Sequence, residues 1–341
     1  MLSFLSDYTE GAHPEVLQHL MDRNLVTLPG YGFDEDTDEA KRKICAACGR
    51  DDLQIWFLTG GTQTNMFVIS TTLRDCEGVI SADTGHVCGH EAGAIEHSGH
   101  KVLTVPNVEG KITVENLDKF MKAFYADESN EHTVQPGMVY ISHPTEYGTL
   151  YSKAELTALS EACHKYGLPL YMDGARMGYG LMSPKSDMDL HDICELTDMF
   201  YIGGTKVGAL CGEALVFTKQ NMPRNFLALV KQRGGLLAKM RVVSQQFDAL
   251  FTNDLYFRLS KHAIDMAMML KEMVLRKGYK LHMDSYTNQQ FVVVSRQKLE
   301  ELRENVRFNV WEWLDDDTAA IRFATSWATT KESIEELEKL L

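Results

Sequence analysis

Lys206 stands in Phe200-Tyr-Ile-Gly-Gly-Thr-Lys-Val-Gly-Ala209, where a lysine follows a nearly continuous apolar run on a turn of glycines and small residues. Most lysines project into water. One flanked in this way is partly desolvated, which disfavours its ammonium form and lowers its pKa. A neutral amine is a nucleophile and forms an imine with a carbonyl compound. The bland alternative is a loop lysine. A second candidate is Asp173, in Tyr171-Met-Asp-Gly-Ala-Arg176, at the carboxyl end of another apolar run. Open α/β sheets bind ligands at such strand ends. A carboxylate buried there needs a cationic partner, and a protonated ring nitrogen is one; an Asp capping the following turn is the alternative.

The third cluster is Thr59-Gly-Gly-Thr-Gln-Thr-Asn65, between a strand-like run and a helical one. Its glycine pair allows a sharp bend, and free N–H groups with hydroxyls at a helix start make an anion site. The pattern is neither G-x-G-x-x-G nor a Walker A sequence, so a dinucleotide fold or P-loop NTPase is not indicated. Asp173 and Lys206 are 206 − 173 = 33 residues apart, room for a helix and a strand between them. A phosphate turn, a carboxylate for a ring nitrogen and an imine-forming lysine, in that order, together describe a site for pyridoxal 5'-phosphate (PLP).

These residues need an α/β frame. Short apolar runs recur at Gln54–Thr59, Gly78–Ser81, Lys101–Val105, Met138–Ser142, Leu168–Asp173, Met199–Gly203 and Glu213–Phe217. Several lie next to amphipathic stretches such as Lys153–Tyr166, which puts Leu156, Leu159, Ala162 and Cys163 on one face. The alternation predicts an α/β fold with a mostly parallel sheet flanked by helices. Beyond about residue 250 the pattern changes. A long helix over Asp254–Lys277 precedes a strand at Phe291–Val294, a helix at Gln297–Glu304 and a hairpin through Asp315-Asp-Asp. A last helix is capped by Thr330. The expected organisation is a segment over 1–30 packing on the site, a large domain over 31–250 and a small α+β domain over 251–341.

The chain has 341 residues, 44% hydrophobic, with 34 basic and 48 acidic side chains giving a net charge of −14. Such a polyanion is poorly matched to nucleic acid or anionic lipid. No apolar stretch reaches the roughly 18 residues that span a bilayer, and the first residues carry no basic, apolar leader pattern. Seven scattered cysteines read as reduced thiols, so a cytoplasmic location is expected. Cys45 and Cys48 form a C-x-x-C at a helix end closed by Gly49, but no second ligand pair follows, and no metal site is expected.

The sequence resembles the threonine aldolases of the fold-type I PLP superfamily nearly end to end. The likeness shows at Ser6-Asp-Tyr-Thr-Glu-Gly-Ala-His-Pro-Glu-Val, Pro29-Gly-Tyr-Gly-Phe-Asp-Glu-Asp, Gly60-Gly-Thr-Gln-Thr-Asn, His86-Val-Cys-Gly-His-Glu-Ala-Gly-Ala, Asp173-Gly-Ala-Arg, Gly204-Thr-Lys and Ile321-Arg-Phe-Ala-Thr-Ser-Trp. It implies that Lys206 forms the imine, that Gly61, Thr62 and Gln63 hold the phosphate, and that Asp173 pairs with the ring nitrogen. It further implies that His86 stacks on the ring, Arg176 binds its phenolic oxygen, and Ser6 and Arg322 take the substrate carboxylate. Tyr31 would line the site or a neighbour's, in a homodimer or homotetramer with shared active sites; Gly234–Lys239 could reach a neighbour's phosphate or equally serve as a helix N-cap. The implied reaction cleaves threonine or allo-threonine to glycine and an aldehyde. Many of these aldolases carry a histidine where this chain has Glu146, so His86, Glu146 and His90 all stand as candidates for the base that takes the β-hydroxyl proton. Three rivals stand beside this reading, and the intact Asp173, Lys206, Arg322 and phosphate turn speak against the second of them. One is a PLP lyase that eliminates at Cβ or prefers bulkier substrates such as phenylserine. The others are a silent homologue and a nicotinamide dehydrogenase, the last lacking the glycine fingerprint.

Overall fold

All seven apolar runs of the large domain become strands of one sheet. In the computed structural model, which describes all 341 residues, β1 (Leu2–Ser3) precedes β2 (Gln54–Leu58), β3 (Glu77–Ala82), β4 (Val102–Val105), β5 (Gln135–Ser142), β6 (Leu170–Asp173), β7 (Met199–Gly203) and β8 (Glu213–Phe217). The seven-stranded sheet has the order β2-β8-β7-β6-β5-β3-β4. Its strands are parallel from β7 to β4, and β8 runs antiparallel to both neighbours. Strand residues alternate between two apolar layers: Ile55, Phe57, Val139 and Ile141 face one, Trp56, Leu58, Met138 and Tyr140 the other. A sheet covered on both faces explains why its strands read as unbroken apolar runs.

The registers align the active edge. Leu58 pairs with Glu213 and Glu213 with Gly203, while Ser142 pairs with Asp173. The turns after β2, β5, β6 and β7 and the first residue of β8 therefore converge at one end of the sheet. Local signals place the helices between them. Ser152 and Glu155 form a reciprocal capping box at the start of Lys153–Lys165, and Asp34 and Thr113 cap the helices Glu35–Ala47 and Val114–Ala126. Gly49, at φ +63, closes the helix that carries Cys45. At Gly174 a Cβ would lie 1.9 Å from the Tyr201 carbonyl oxygen, so only glycine lets the turn after Asp173 pass against β7.

The C-terminal part builds a second, antiparallel sheet. Strands β9 (Lys280–Met283), β10 (Gln289–Ser295), β12 (Asn309–Trp313) and β13 (Thr318–Ala324) have the order β12-β13-β10-β9. The 22-residue helix Leu255–Arg276 packs its Leu270, Met273 and Val274 into the core beneath this sheet. One connection is not visible in local pattern: β1 pairs in parallel with β11 (Val306–Arg307). Phe4 then packs edge-on against Phe323, and the backbone N–H of Ala324 donates to the Phe4 carbonyl. The first residues are thus fixed to the second sheet and lead from it towards the edge of the first.

Candidate active site

Two adjoining clefts open at that edge. One, of about 190 Å³, is lined by Thr59, Gly60, Gly61, Thr62, Asp173, Tyr201, Lys206 and Glu213. The second, of about 450 Å³, is lined by Tyr8, His90, Gln289, Trp311 and Arg322. His86, Glu146, Arg176 and Lys206 border both.

At the floor, Asp173 is 5% exposed and meets four donors. Its Oδ1 accepts from the Tyr201 hydroxyl at 2.6 Å and the Ala175 N–H at 3.0 Å. Oδ2 accepts from Asn65 Nδ2 at 2.9 Å and the Tyr140 hydroxyl at 2.8 Å. Burial pushes this carboxyl up, but His86 and the donors outweigh it, and its pKa lies below the ordinary value. Asp173 is therefore an anion. Ser142 Oγ lies 3.2 Å from the Tyr140 hydroxyl.

The anion cradle lies opposite. Gly60 starts the helix Gly61–Thr72 without any side-chain cap, and the first recurring helical bond is from Thr64 N–H to the Gly60 carbonyl. The N–H groups of Gly61, Thr62 and Gln63 thus carry the free donors of a helix N-terminus. The Gln63 side chain turns back, its Oε1 accepting from the N–H and hydroxyl of Thr59. Of the expected phosphate residues, Gly61 and Thr62 line the cleft, and Gln63 does not. Lys206 borders both clefts, its amine held below the usual lysine range by desolvation and the Arg176 guanidinium.

His86 Nδ1 is 2.8 Å from Glu91 Oε1, and the same oxygen accepts from Asn65 Nδ2 at 2.6 Å. Burial alone would lower the His86 pKa; Glu91 and Asp173 raise it. The His90 ring centroid lies 5.7 Å from that of His86. Glu146 Oε1 accepts from the Ser142 hydroxyl at 2.6 Å and the His86 N–H at 2.9 Å, and desolvation pushes its carboxyl above the ordinary range. Arg322, 8% exposed, donates from Nη1 to Gln289 Oε1 at 2.9 Å, while its Nε has no partner.

Arg176 forms a two-point pair with Asp7, Nε–Oδ2 at 2.6 Å and Nη2–Oδ1 at 3.0 Å. Asn288 also donates to Asp7. Against the penalty of burial, Arg176 and Lys206 hold the Asp7 pKa at about 2, below its ordinary 3.8. A depressed carboxyl pKa stabilises the fold above the unfolded value, and that contribution is lost as pH falls through the folded one. Acid unfolding of the wild type should therefore gain a component between about pH 4 and pH 2. Asp7→Asn should lack it and cost about 3–5 kcal/mol at neutral pH, because Arg176 loses its buried partner; urea unfolding across this range checks both.

Ser6 is buried and turns its hydroxyl towards Asp7 Oδ1 at 3.4 Å. Tyr31 lines neither cleft: it is 40% exposed, at φ +63, with the Lys231 ammonium 4.6 Å from its ring centroid. Asp7, Asn65, Glu91, Tyr140, Tyr201 and Glu213 join the site without having been expected there. Asp7, Asn65 and Glu91 do lie inside motifs that carried the family likeness.

A lysine, a buried carboxylate and an uncapped helix start at one edge of this sheet define a PLP enzyme of fold type I. The aspartate aminotransferase of Thermus thermophilus shares the fold, with a TM-score of 0.72 at 13% identity over 100% of this chain and 92% of that one. The profile of the beta-eliminating lyase family matches residues 3–297, and the chain belongs to that family. Similar proteins include threonine aldolases. A low specificity L-threonine aldolase of a Pseudomonas species is 30% identical over 98% of this chain and 95% of its own length. The threonine aldolase of Leishmania major is 40% identical, with a TM-score of 0.96 over 100% of this chain and 98% of that one. The protein is accordingly a PLP-dependent lyase.

Proposed function

We propose that the protein cleaves a β-hydroxy-L-amino acid, L-threonine or L-allo-threonine, to glycine and an aldehyde. The observation that carries this reading is the convergence of the Lys206 amine, the Asp173 anion and the Arg322 guanidinium on two joined clefts. PLP, when bound, supplies a sink for the electron pair left by the broken Cα–Cβ bond. In this reading Lys206 anchors it, the N–H groups of Gly61, Thr62 and Gln63 hold its phosphate, and Asp173 faces its ring nitrogen. His86, bordering both clefts, stacks on its face, and Arg176, tied down by Asp7, reaches its phenolic oxygen. Arg322 and Ser6 hold the substrate carboxylate, with the free Arg322 Nε available for it. Fixing that carboxylate orients the bond to be broken, a positioning effect worth several kcal/mol. Tyr31, exposed here, serves a neighbouring subunit in a homodimer or homotetramer, as does the Gly234–Lys239 segment. The enzyme works in the cytoplasm.

Glu146 is the favoured base for the β-hydroxyl proton, ahead of His86 and His90. It borders both clefts, and desolvation raises its proton affinity towards the neutral range. The base must be ionised, so activity rises as pH climbs through the Glu146 pKa. Glu146→Gln should lower kcat about 100-fold and remove that acid limb from the pH profile. An unchanged limb would transfer the role to a histidine.

Trp311 and Tyr8 on the wall of the larger cleft favour a second reading, a preference for bulkier substrates such as phenylserine. The deciding experiment loads the protein with PLP, records its visible absorbance, and measures aldehyde and glycine from L-threonine, L-allo-threonine and phenylserine. Aldehyde with stoichiometric glycine supports the aldolase reading. Pyruvate and ammonia from serine, without aldehyde, would replace it with β-elimination.

A further inference from the structure

Glu213 is a carboxyl group in an unexpected place. It is the first residue of β8, 4% exposed, and its register partner on one side is Leu58, the residue before the Thr59–Thr62 turn. On the other side it pairs with Gly203. Its side chain lines the same cleft as Thr59, Gly60, Gly61 and Thr62. One neutral donor meets each oxygen: the Thr205 hydroxyl donates to Oε1 at 2.9 Å and the Gly204 N–H to Oε2 at 3.2 Å. Thr205 Oγ1 in turn accepts from the Gly212 N–H at 3.0 Å. The carboxyl is held in one orientation by backbone and hydroxyl groups.

A carboxylate in that position would face the phosphate dianion of the cofactor across a desolvated cleft, where like charges repel strongly. A carboxylic acid would not, because its O–H is one more hydrogen-bond donor for a phosphate oxygen. We propose that Glu213 works as a neutral acid that donates its proton in a hydrogen bond to the cofactor phosphate, so that the phosphate site is tuned by a group that titrates. The inference rests on the PLP site assigned above and adds to it a phosphate-binding residue and a pH dependence. Burial pushes the Glu213 carboxyl up to about 8, against the pull of Lys206 and the Thr205 hydrogen bond, and Asp173 adds to the rise. The other titratable groups near it are the phenols of Tyr171, Tyr201 and Tyr256 and the thiol of Cys211. Each of these is itself shifted towards its neutral form. Within the chain, Lys206 is the cation that pulls on this carboxyl.

The test compares PLP with pyridoxal, which lacks the phosphate. The full chain, stripped of cofactor, is titrated with each by visible absorbance between pH 6.5 and 9.5. Effects of pH on Lys206 enter both affinities and cancel in their ratio. In the wild type the ratio should fall by about tenfold or more as Glu213 ionises. In Glu213→Gln, whose amide donates without titrating, it should stay within about twofold over the same range. A flat wild-type ratio would overturn the inference, whether or not the variant folds. So would an equal fall in both proteins, which would put the titration elsewhere. Failure of the wild type to take up PLP at all would remove the site assignment itself, a result distinct from either.

Discussion

Lys206→Ala is expected to release aldehyde from L-threonine at less than about one-thousandth of the wild-type rate, and to lose the absorbance of the covalently held cofactor. Lys206 is the only lysine bordering either of the two clefts, and its amine is kept below the usual lysine range by desolvation and by Arg176. Those features favour the neutral, nucleophilic form near neutrality. An alanine would leave Asp173, Arg322 and the cradle in place, so a cofactor bound without a covalent link is still expected. The fold should tolerate the change. The side chain donates no hydrogen bond, and the repulsion with Arg176 that its removal relieves offsets attractions to Asp7, Asp173 and Glu213 that it loses. A melting temperature close to wild type alongside the lost rate would separate chemistry from stability. Retention of more than a tenth of the activity would place the imine on another residue.

Asp173→Asn should strike both stability and catalysis. The carboxylate receives four donors, two on each oxygen. An amide can accept on one oxygen only and turns its own N–H groups towards two donors on the other side. Each buried mismatch costs about 1–3 kcal/mol, so a loss of about 2–5 kcal/mol is expected in urea unfolding. Removing the anion also withdraws electrostatic support from a protonated ring nitrogen, lowering kcat by about 10²–10³-fold. The His86 pKa should fall as well, because Asp173 is one of the groups that raise it. Proton NMR of the histidine resonances reads that directly. A variant with wild-type turnover would show that Asp173 serves the fold alone.

The frame was legible because the sheet is covered on both faces. Burial on two sides forces each strand into a short apolar run, and all seven runs became strands. Asp173 and Lys206 stood out because a charged residue at the end of such a run has few structural reasons to be there. The reversed direction of β8 follows from length: Gly203 and Glu213 are separated by 213 − 203 − 1 = 9 residues, too few for a parallel crossover. Other parts had no local signature. The β1–β11 pair joins two-residue strands about three hundred positions apart, where no periodicity can develop. Asp7 and Glu91 look like ordinary acidic residues until their partners, Arg176 and His86, are brought to them. Glu213 reads as the polar start of a strand, and only the register beside Leu58 puts it in the cofactor cleft. Tyr31 shows the opposite case. A motif carried it towards the site, and within one chain the structure leaves it outside.

The pairing of Leu2–Ser3 with Val306–Arg307, and the reach of Asp7 to Arg176 and Asn288, set an order for biosynthesis. Residues 2 to 7 leave the ribosome roughly a minute before their strand partner at slow elongation rates. Asp7 is made long before its partner Arg176, while Arg322 follows only after the β11 segment. The large sheet and the smaller cleft, lined by residues 59 to 213, can form before then, whereas the larger cleft waits for Asn309, Trp311 and Arg322. A nascent chain stalled before residue 306 should therefore resist proteolysis across the large sheet while leaving its first residues open to cleavage.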